Sequence, residues 1–334
     1  MINLFPRSER ADIAIDLGTA NTRIITAKDG LIFDEPSICC FAGPAHDRKL
    51  LSAGHMAAKM LGHTTGDMKL VRPLSRGVLN DMNAATQFLQ QAIRTSMETR
   101  RISGVRAVIG VPIDATKAER NALVTAAMDV GFKSVKLWDE PLAAAMGAGI
   151  DVTLPVATLI VECGAGVTEA AIISLGGICA YRAVRLGGES LNHSVMEYLH
   201  SRYKFQIGEI TAERVKCEIF DWMSHAAAVE GSTHIKGHNL LTGLPENMPF
   251  PTRELATVVD RHMEHILEIV MDLLNDSPPE ICGDIHLNGI LLTGGGASAQ
   301  VIRTKLEATT GLPCISPDLQ INCVIDGLRQ SMLH

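Results

Sequence analysis

Asp12-Ile-Ala-Ile-Asp16-Leu-Gly-Thr-Ala-Asn-Thr22-Arg-Ile-Ile-Thr-Ala27 sets two short apolar runs around a glycine-bearing turn, which reads as a hairpin with its tip at Gly18 to Asn21. The same shape returns at Ala157-Thr-Leu-Ile-Val-Glu162-Cys-Gly-Ala-Gly-Val-Thr168-Glu-Ala-Ala-Ile-Ile-Ser174. Both copies contain acid-x-Gly-x-x-x-Thr, as Asp16/Gly18/Thr22 and Glu162/Gly164/Thr168. A motif this short recurs by chance, but each copy opens its half of the chain and is followed by a hairpin continuation and helix-like sequence, the pattern of an internal duplication.

Between the copies, Val105–Pro112 reads as a buried strand and Ala115–Val130 as a helix stopped by Gly131. A strand over Ser134–Trp138 and an Ala-rich helix from Glu140 through Ala148 follow. In the second half, Ile285–Leu292 reads as a strand ending in Thr293-Gly294-Gly295-Gly296, with a helix over Ser298–Thr309 behind it. Strands alternating with helices make an α/β fold, in which glycine turns at strand ends are where phosphates bind. No long linker separates the halves, so the domains are expected to interleave.

Composition narrows the functional classes. The 334 residues carry 37 acids against 30 Lys and Arg, a formal charge of −7, which argues against a basic nucleic-acid binder. Aromatic residues make up 4%, too few for stacking platforms, whereas 46% hydrophobic residues suffice for a packed core. Eight scattered cysteines, with no CxxC pair, read as reduced, buried residues of a cytosolic protein. No secretory signal is visible at the N-terminus, and the weakly charged stretch Pro141–Val161 is broken by Asp151 and Pro155, so no membrane span is expected. The sequence ends soon after its last expected helix, so no C-terminal tail is expected to carry a further role.

Three glycine turns, at Gly18, Gly164/Gly166 and Gly294–Gly296, let backbone amides approach phosphate oxygens. Each alone is equally well a tight hairpin or helix entry. Two have an acid two residues before the glycine, which implies a divalent cation between carboxylate and phosphate, and magnesium suits such oxygen ligands. There is no GxxxxGK[ST] loop.

With these turns in place the chain resembles the actin/Hsp70/sugar-kinase superfamily, and within it the bacterial actin homologue MreB family. The resemblance spans roughly residues 12–320. It rests on Asp16–Thr22, Glu35-Pro-Ser37, Val71-Arg-Pro73 with Gly77-Val-Leu, and Val108-Ile-Gly-Val-Pro112. It continues through Glu140-Pro-Leu-Ala-Ala-Ala-Met-Gly147, Gly187-Gly188, Thr211-Ala-Glu-Arg214 with Lys216, Thr242-Gly-Leu-Pro245, Pro278-Pro-Glu280 and Leu292-Thr-Gly-Gly-Gly296.

The resemblance implies an actin-like, ribonuclease H-like duplicated core: two lobes, four subdomains and a nucleotide cleft between the lobes. Core subdomain IA would take residues 9–33, 73–147 and 317–334, and peripheral IB 34–72. Core IIA would take 148–185 and 250–316, and peripheral IIB 186–249. The implied activity is Mg-dependent ATP hydrolysis, with ATP and Mg2+ as cofactors, in an MreB-like protein that polymerises with itself at the inner membrane face for cell shape. Asp16 would face the magnesium through water, with Gly18, Thr19, Ala20 and Asn21 around the β- and γ-phosphates. Gly164, Ala165, Gly166 and Thr168 would form the opposing turn. Glu140 would orient the attacking water, beside Glu162; Gly188, Glu213 and Lys216 would meet ribose and base, and Gly294, Gly295 and Gly296 would lie beneath adenine.

Bland readings stand beside these. Glu140 opens a helix, where the dipole alone favours an acid, and Glu213 with Lys216 is also an ordinary i, i+3 ion pair. His262 and His265 read as exposed positions of an amphipathic helix over Thr252–Leu274 rather than metal ligands. The chain has Glu162 where the family usually has Asp, and Glu189 and Asn192 where it also has Asp. These departures predict slowed hydrolysis, and admit a hydrolysis-deficient scaffold or a small-molecule phosphotransferase as alternatives. Ile2, Leu4 and Phe5 form an apolar N-terminal cluster near Arg7 and Arg10 that is the expected membrane anchor, or a packed or frayed end; Thr99–Gly104 reads as polar. The expected setting is cytoplasmic and peripheral to the membrane, with membrane-bound morphogenesis proteins as partners and no nucleic acid.

Overall fold

The computed structural model describes residues 10–44, 48–97, 104–225 and 231–333. The N-terminal anchor expected at Ile2, Leu4 and Phe5 lies outside them, as does nearly all of Thr99–Gly104.

The first half opens with β1 (Ile13–Leu17), β2 (Asn21–Thr26) and β3 (Gly30–Pro36), an antiparallel meander. A small sheet follows from β4 (Cys39–Ala42), β5 (Lys49–Ala53) and, after α1 (Gly54–Ala58), β6 (Met68–Val71). The chain then passes a two-stranded ribbon, β7 (Leu74–Ser75) and β8 (Val78–Leu79), and returns through α2 (Met82–Ser96), β9 (Arg106–Val111), α3 (Lys117–Val130), β10 (Ser134–Asp139) and α4 (Glu140–Gly147). Thr116 and Glu119 close a capping box on α3, and Gly131 ends it in the left-handed region, as its sequence requires.

The second half repeats the plan. An antiparallel meander, β11 (Thr158–Cys163), β12 (Thr168–Ser174) and β13 (Gly177–Val184), leads to α5 (Gly188–Tyr203), β14 (Phe205–Gln206), α6 (Glu209–His225), β15 (Ser232–Asn239) and β16 (Leu244–Pro251). The core resumes with α7 (Thr252–Asn275), α8 (Pro279–Asn288), β17 (Ile290–Thr293), α9 (Gln300–Thr310), β18 (Cys314–Ile315) and α10 (Cys323–Leu333). The two main sheets have the same order, β3-β2-β1-β9-β10 and β13-β12-β11-β17-β18. In each, the third strand pairs antiparallel on its hairpin side and parallel on the other. The duplication read from two hairpins therefore extends through five strands.

Strand alternation explains the layers. Ile13, Ile15 and Leu17 pack against Phe88, Leu89 and Leu123 of α2 and α3, while Ala14 faces the opposite way. Leu159, Val161 and Cys163 pack toward Val195, Val215, Val259 and Ile302 of the second set of helices, while Ile160 faces Ala14's layer. Between the sheets lies an apolar layer formed by Ala143, Ala144 and Ala145 of α4 and by Val324, Ile325 and Leu328 of α10. A Cβ on Gly327 would collide with the Ala143 carbonyl, and one on Gly147 with the Cys323 carbonyl. The two helices thus cross at backbone contact.

Two sequence readings need correction. Ile285–Leu292 is not one strand: α8 runs to Asn288, Gly289 turns at φ 73°, and β17 begins at Ile290. Pro279 at the helix start and Glu280 in its first turn are the local signals that select the helix. A 3-10 turn at Gly295–Ser298 also delays α9 to Gln300. Of the cysteines, Cys39, Cys40, Cys163, Cys314 and Cys323 are buried as expected, but Cys179 and Cys217 are exposed; all eight are free. Among the described residues no helix is long and apolar enough to cross a membrane.

Replacing Gly327 by Ala forces α4 and α10 apart and is expected to destabilise the chain by about 3 kcal/mol in urea unfolding. Gly283→Ala, where an added Cβ meets nothing within 4 Å inside α8, is the control and should gain roughly 0.5–1 kcal/mol.

Candidate functional site

The two hairpin turns are built alike. Gly18 N–H donates to the Asn21 carbonyl at 3.1 Å, and Gly164 N–H to the Val167 carbonyl at 3.0 Å. An added Cβ would stand 2.7 Å and 2.9 Å from those same oxygens, so each turn needs glycine. The first turn is braced from outside: the Ser37 hydroxyl donates to the Gly18 carbonyl at 2.6 Å, and Gly77 N–H donates to Thr19 Oγ1 at 3.0 Å. The turns also meet, since a Cβ on Gly166 would strike Thr19 Oγ1 and lie 2.6 Å from Gly77 N. The duplicated halves therefore close on each other at their glycine tips.

A cleft of about 510 Å³ opens beside this contact. Ala20, Gly164, Ala165, Thr168 and Gly188 line it, together with Gly295 and Gly296 of the third turn and Glu213 and Lys216 of α6. Gly294 takes φ 83° against the Cys163 backbone and aims that turn at the cleft. Thr168 Oγ1 donates to the Leu186 carbonyl at 2.9 Å, and Glu189 N–H donates to the Ala165 carbonyl at 2.9 Å, docking α5 onto the second turn. Lys216 is buried, 2.8 Å from Glu213, and Glu213 also accepts from Asn192 at 2.7 Å. Both readings of that pair hold together: it is an ion pair, and it lies in the cleft wall. His262, expected at the surface, is half-buried in the same wall, and burial pushes its pKa down to about 4, so it is neutral; His265 is exposed.

The acids converge from separate elements. Asp16 ends the inter-sheet face of β1, Glu162 that of β11, and Glu140 opens α4. Glu140, Glu162 and a third residue, Glu169, bring carboxylate oxygens within 4.8 Å of one another. Glu169 is fully buried on β12, opposite Glu162, and accepts from Ile113 N–H at 2.6 Å. Burial raises all of these carboxyls: Asp16 to about 6 against the pull of Arg23 at 3.4 Å, Glu169 to about 8, and Glu140 and Glu162 well above the ordinary range. After burial, the Glu169 charge is the largest cause for both Glu140 and Glu162. Sequence reasoning passed over Glu169; its signal was an acid at the head of Ala170–Ile173, a strand apolar on both faces. An all-oxygen acidic floor beside glycine turns, with Glu162 Oε2 lacking a hydrogen-bond partner, fits a hard cation such as magnesium.

A clasp spans the cleft mouth. Arg72, just after β6, reaches Glu189 at 3.1 Å on α5 and Glu209 at 2.8 Å on α6. The longer side chain at position 189 thus serves a contact that its sequence did not disclose.

Duplicated five-stranded sheets meeting at paired glycine turns, with acids between them, define an actin-like fold. The family model for MreB/Mbl protein matches residues 10–334, and the chain belongs to this family. It is 34% identical over 320 residues to the cell shape-determining protein MreB of Escherichia coli K12, covering 95% of this chain and 91% of that protein. Against the cell shape-determining protein Mbl of Bacillus subtilis it is 31% identical over 316 residues, covering 95% and 94%. Among solved structures it is similar to MreB5 of Spiroplasma citri bound to AMPPNP, with a TM-score of 0.88, 33% identity and 97% and 96% of the two chains covered. The MamK double helical filament shares the fold at a TM-score of 0.74 and 21% identity, over 96% and 97% of the chains.

The buried Glu169 carboxyl makes stability fall as pH rises. The folded chain keeps a proton up to about pH 8 that the unfolded chain releases near 4.5. Glu169→Gln has no proton to lose there, so its stability relative to the parent should increase between pH 5 and pH 7.5 in urea titrations; an equal difference at both pH values contradicts this.

Proposed function

We propose that this chain binds Mg-ATP between the two hairpin turns, hydrolyses it, and polymerises with itself into filaments at the inner face of the cell membrane that serve cell shape. The single observation that carries the reading is the matched pair of turns, Gly18–Asn21 and Gly164–Val167, closing on one cleft. Two relatives named for cell-shape determination, and MreB5 of Spiroplasma citri solved with AMPPNP and with ADP, support it. In this reading the small sheet β4–β6 and the sheet β14–β16 belong to peripheral subdomains IB and IIB, and the two five-stranded sheets to IA and IIA.

Phosphoryl transfer to water needs positioning and charge stabilisation more than covalent help. The turns formed by Gly18, Thr19, Ala20 and Asn21 and by Gly164, Ala165, Gly166 and Thr168 cradle the phosphates, with Gly18 and Gly164 N–H closing the turns themselves and the amides within each turn as the donors. Asp16 would hold magnesium, which would supply charge neutralisation at the phosphates when bound. Glu140, half-buried at the start of α4, orients and deprotonates the attacking water, with Glu162 beside it. Gly188, Glu213 and Lys216 face ribose and base, and Gly294, Gly295 and Gly296 support the adenine side. Burial favours the neutral form of Glu140, which then gains basicity once ionised. Ile2, Leu4 and Phe5 are the proposed membrane contact, weak in one copy and strengthened by repetition along a filament.

A second reading, a filament scaffold without turnover, is favoured by Glu162 itself. One added methylene moves its carboxylate by about 1 Å, enough to lower a rate by up to roughly 100-fold.

Phosphate release and pelleting with Mg-ATP, with and without anionic vesicles, test the proposal. Polymer with turnover supports it, polymer without turnover favours the scaffold, and absence of both overturns it. Glu140→Ala should lower kcat by about 100-fold or more with ADP affinity nearly unchanged. Arg72→Ala, which removes two part-exposed ion pairs worth at most about 1 kcal/mol each, should speed release of a fluorescent ADP analogue by about 5–10-fold.

A further inference from the structure

Beyond the Glu213–Lys216 pair the cleft runs on into an end that the reading above leaves unused. Along α6, Glu213, Lys216, Cys217 and Phe220 recur at helical spacing, so one helix face passes from an ion pair to an aromatic ring as it forms the cleft wall. Facing it, His262 and Ile266 stand one turn apart on α7, and Ile302 lies in the first turn of α9, just past the third glycine turn. The three helices pack on one another, Phe220, Ile266 and Ile302 are apolar, and the imidazole of His262 is the polar group set among them. The ring is half-buried, and among the described residues nothing hydrogen-bonds to it. A histidine held there for packing alone is expected to spend a ring nitrogen on a carbonyl or a neighbouring side chain. Burial, together with the nearby charges of His265 and Lys216, keeps it neutral, so the ring offers one N–H and one bare nitrogen.

We propose that His262 is a specificity-determining residue of the cleft: a nitrogen of its ring accepts from the exocyclic amine of a purine base seated against Phe220, Ile266 and Ile302. This rests on the nucleotide-binding reading, in which the base lies beside Lys216 and Gly294–Gly296, and deepens it by naming the group that reads the base. A flat heteroaromatic ring suits the apolar surroundings, and its amine, once taken from water, needs an acceptor. On α6 the other acceptor at this end is already committed. Glu213 Oε2 accepts from Asn192 at 2.7 Å and from Lys216 at 2.8 Å, and its Oε1 accepts from the Cys217 thiol. Lys216 carries only donors, and its ammonium is held by Glu213 and by the Gly188 carbonyl. The turn amides are donors as well, which suits phosphate oxygens. The cleft thus sets donors at the phosphate end and leaves one unspent imidazole acceptor at the other.

The experiment compares ATP with purine riboside triphosphate, which lacks only the amine, by calorimetry with Mg2+ on the purified full chain, on His262→Leu and on His262→Gln. The parent should bind ATP about 3–10-fold more tightly than the amine-free analogue, the worth of one hydrogen bond. His262→Leu should lose about the same factor for ATP, with its affinity for the analogue within about twofold of the parent. His262→Gln, whose side-chain carbonyl still accepts, should recover part of the loss. Because the analogue keeps every phosphate and ribose contact, its binding by the variants reports that the rest of the cleft is intact. Equal weakening of both ligands in both variants makes the ring a packing element of the wall and overturns the assignment. So does a parent that binds the two ligands equally, or His262→Leu that binds ATP as the parent does. A parent that binds neither ligand overturns the nucleotide-binding reading, and this assignment with it.

Discussion

The backbone-to-backbone crossing of α4 and α10 is the constraint on which the rest depends. Gly147 and Gly327 let the helices approach until no Cβ fits between them, and the paired helices share one apolar layer with Ala14 of the first sheet and Ile160 of the second. Two similar sheets held that close present the ends of β1 and β11 to each other. Asp16 and Glu162 then face one space, and the hairpin turns that follow them touch through Gly166 and Thr19. A wider layer would leave each turn as an isolated hairpin.

The same closeness concentrates negative charge. Four acids from β1, α4, β11 and β12 share this space, Asp16 facing the three clustered glutamates, and Arg23 pairs with Asp16 and with Asp34 outside the cluster. An uncompensated cluster of this kind disfavours the folded chain, and its carboxyls respond by retaining protons. Such a cost is tolerable where the charge has a use, and under the proposed function a polyphosphate with its counter-ion and an attacking water would give it one. Outside the cluster, charges are arranged conventionally: Arg72 and Arg185 each bridge two acids across the lobes at partly exposed positions. These contacts favour closure by modest amounts and can yield without unfolding either lobe.

What the sequence disclosed divides by distance along the chain. The hairpin turns were legible because their requirement is local: a glycine whose added Cβ would meet a carbonyl three residues on. The α3 cap and the Gly131 stop were legible for the same reason. The stretch before β17 misled because Ile285, Leu287, Gly289 and Leu291 alternate as a strand would, while the helix depends on Pro279, Glu280 and the left-handed turn at Gly289. Glu169 was hidden because a strand buried on both faces offers no polar side against which an acid stands out. The Arg72 clasp joins residues more than a hundred positions apart, and nothing in its local sequence announces it. His262 differs again, since the helix that carries it is amphipathic, but the cleft covers part of its polar face.

The central claim is that the two turns act as one phosphate clamp held in register by the inter-sheet layer. Amide hydrogen exchange with and without Mg-ATP tests it most directly. The account predicts that the amides of Thr19–Asn21 and Ala165–Thr168 gain protection together on adding nucleotide. Protection confined to one turn, or nucleotide binding that leaves both turns unchanged, would contradict it.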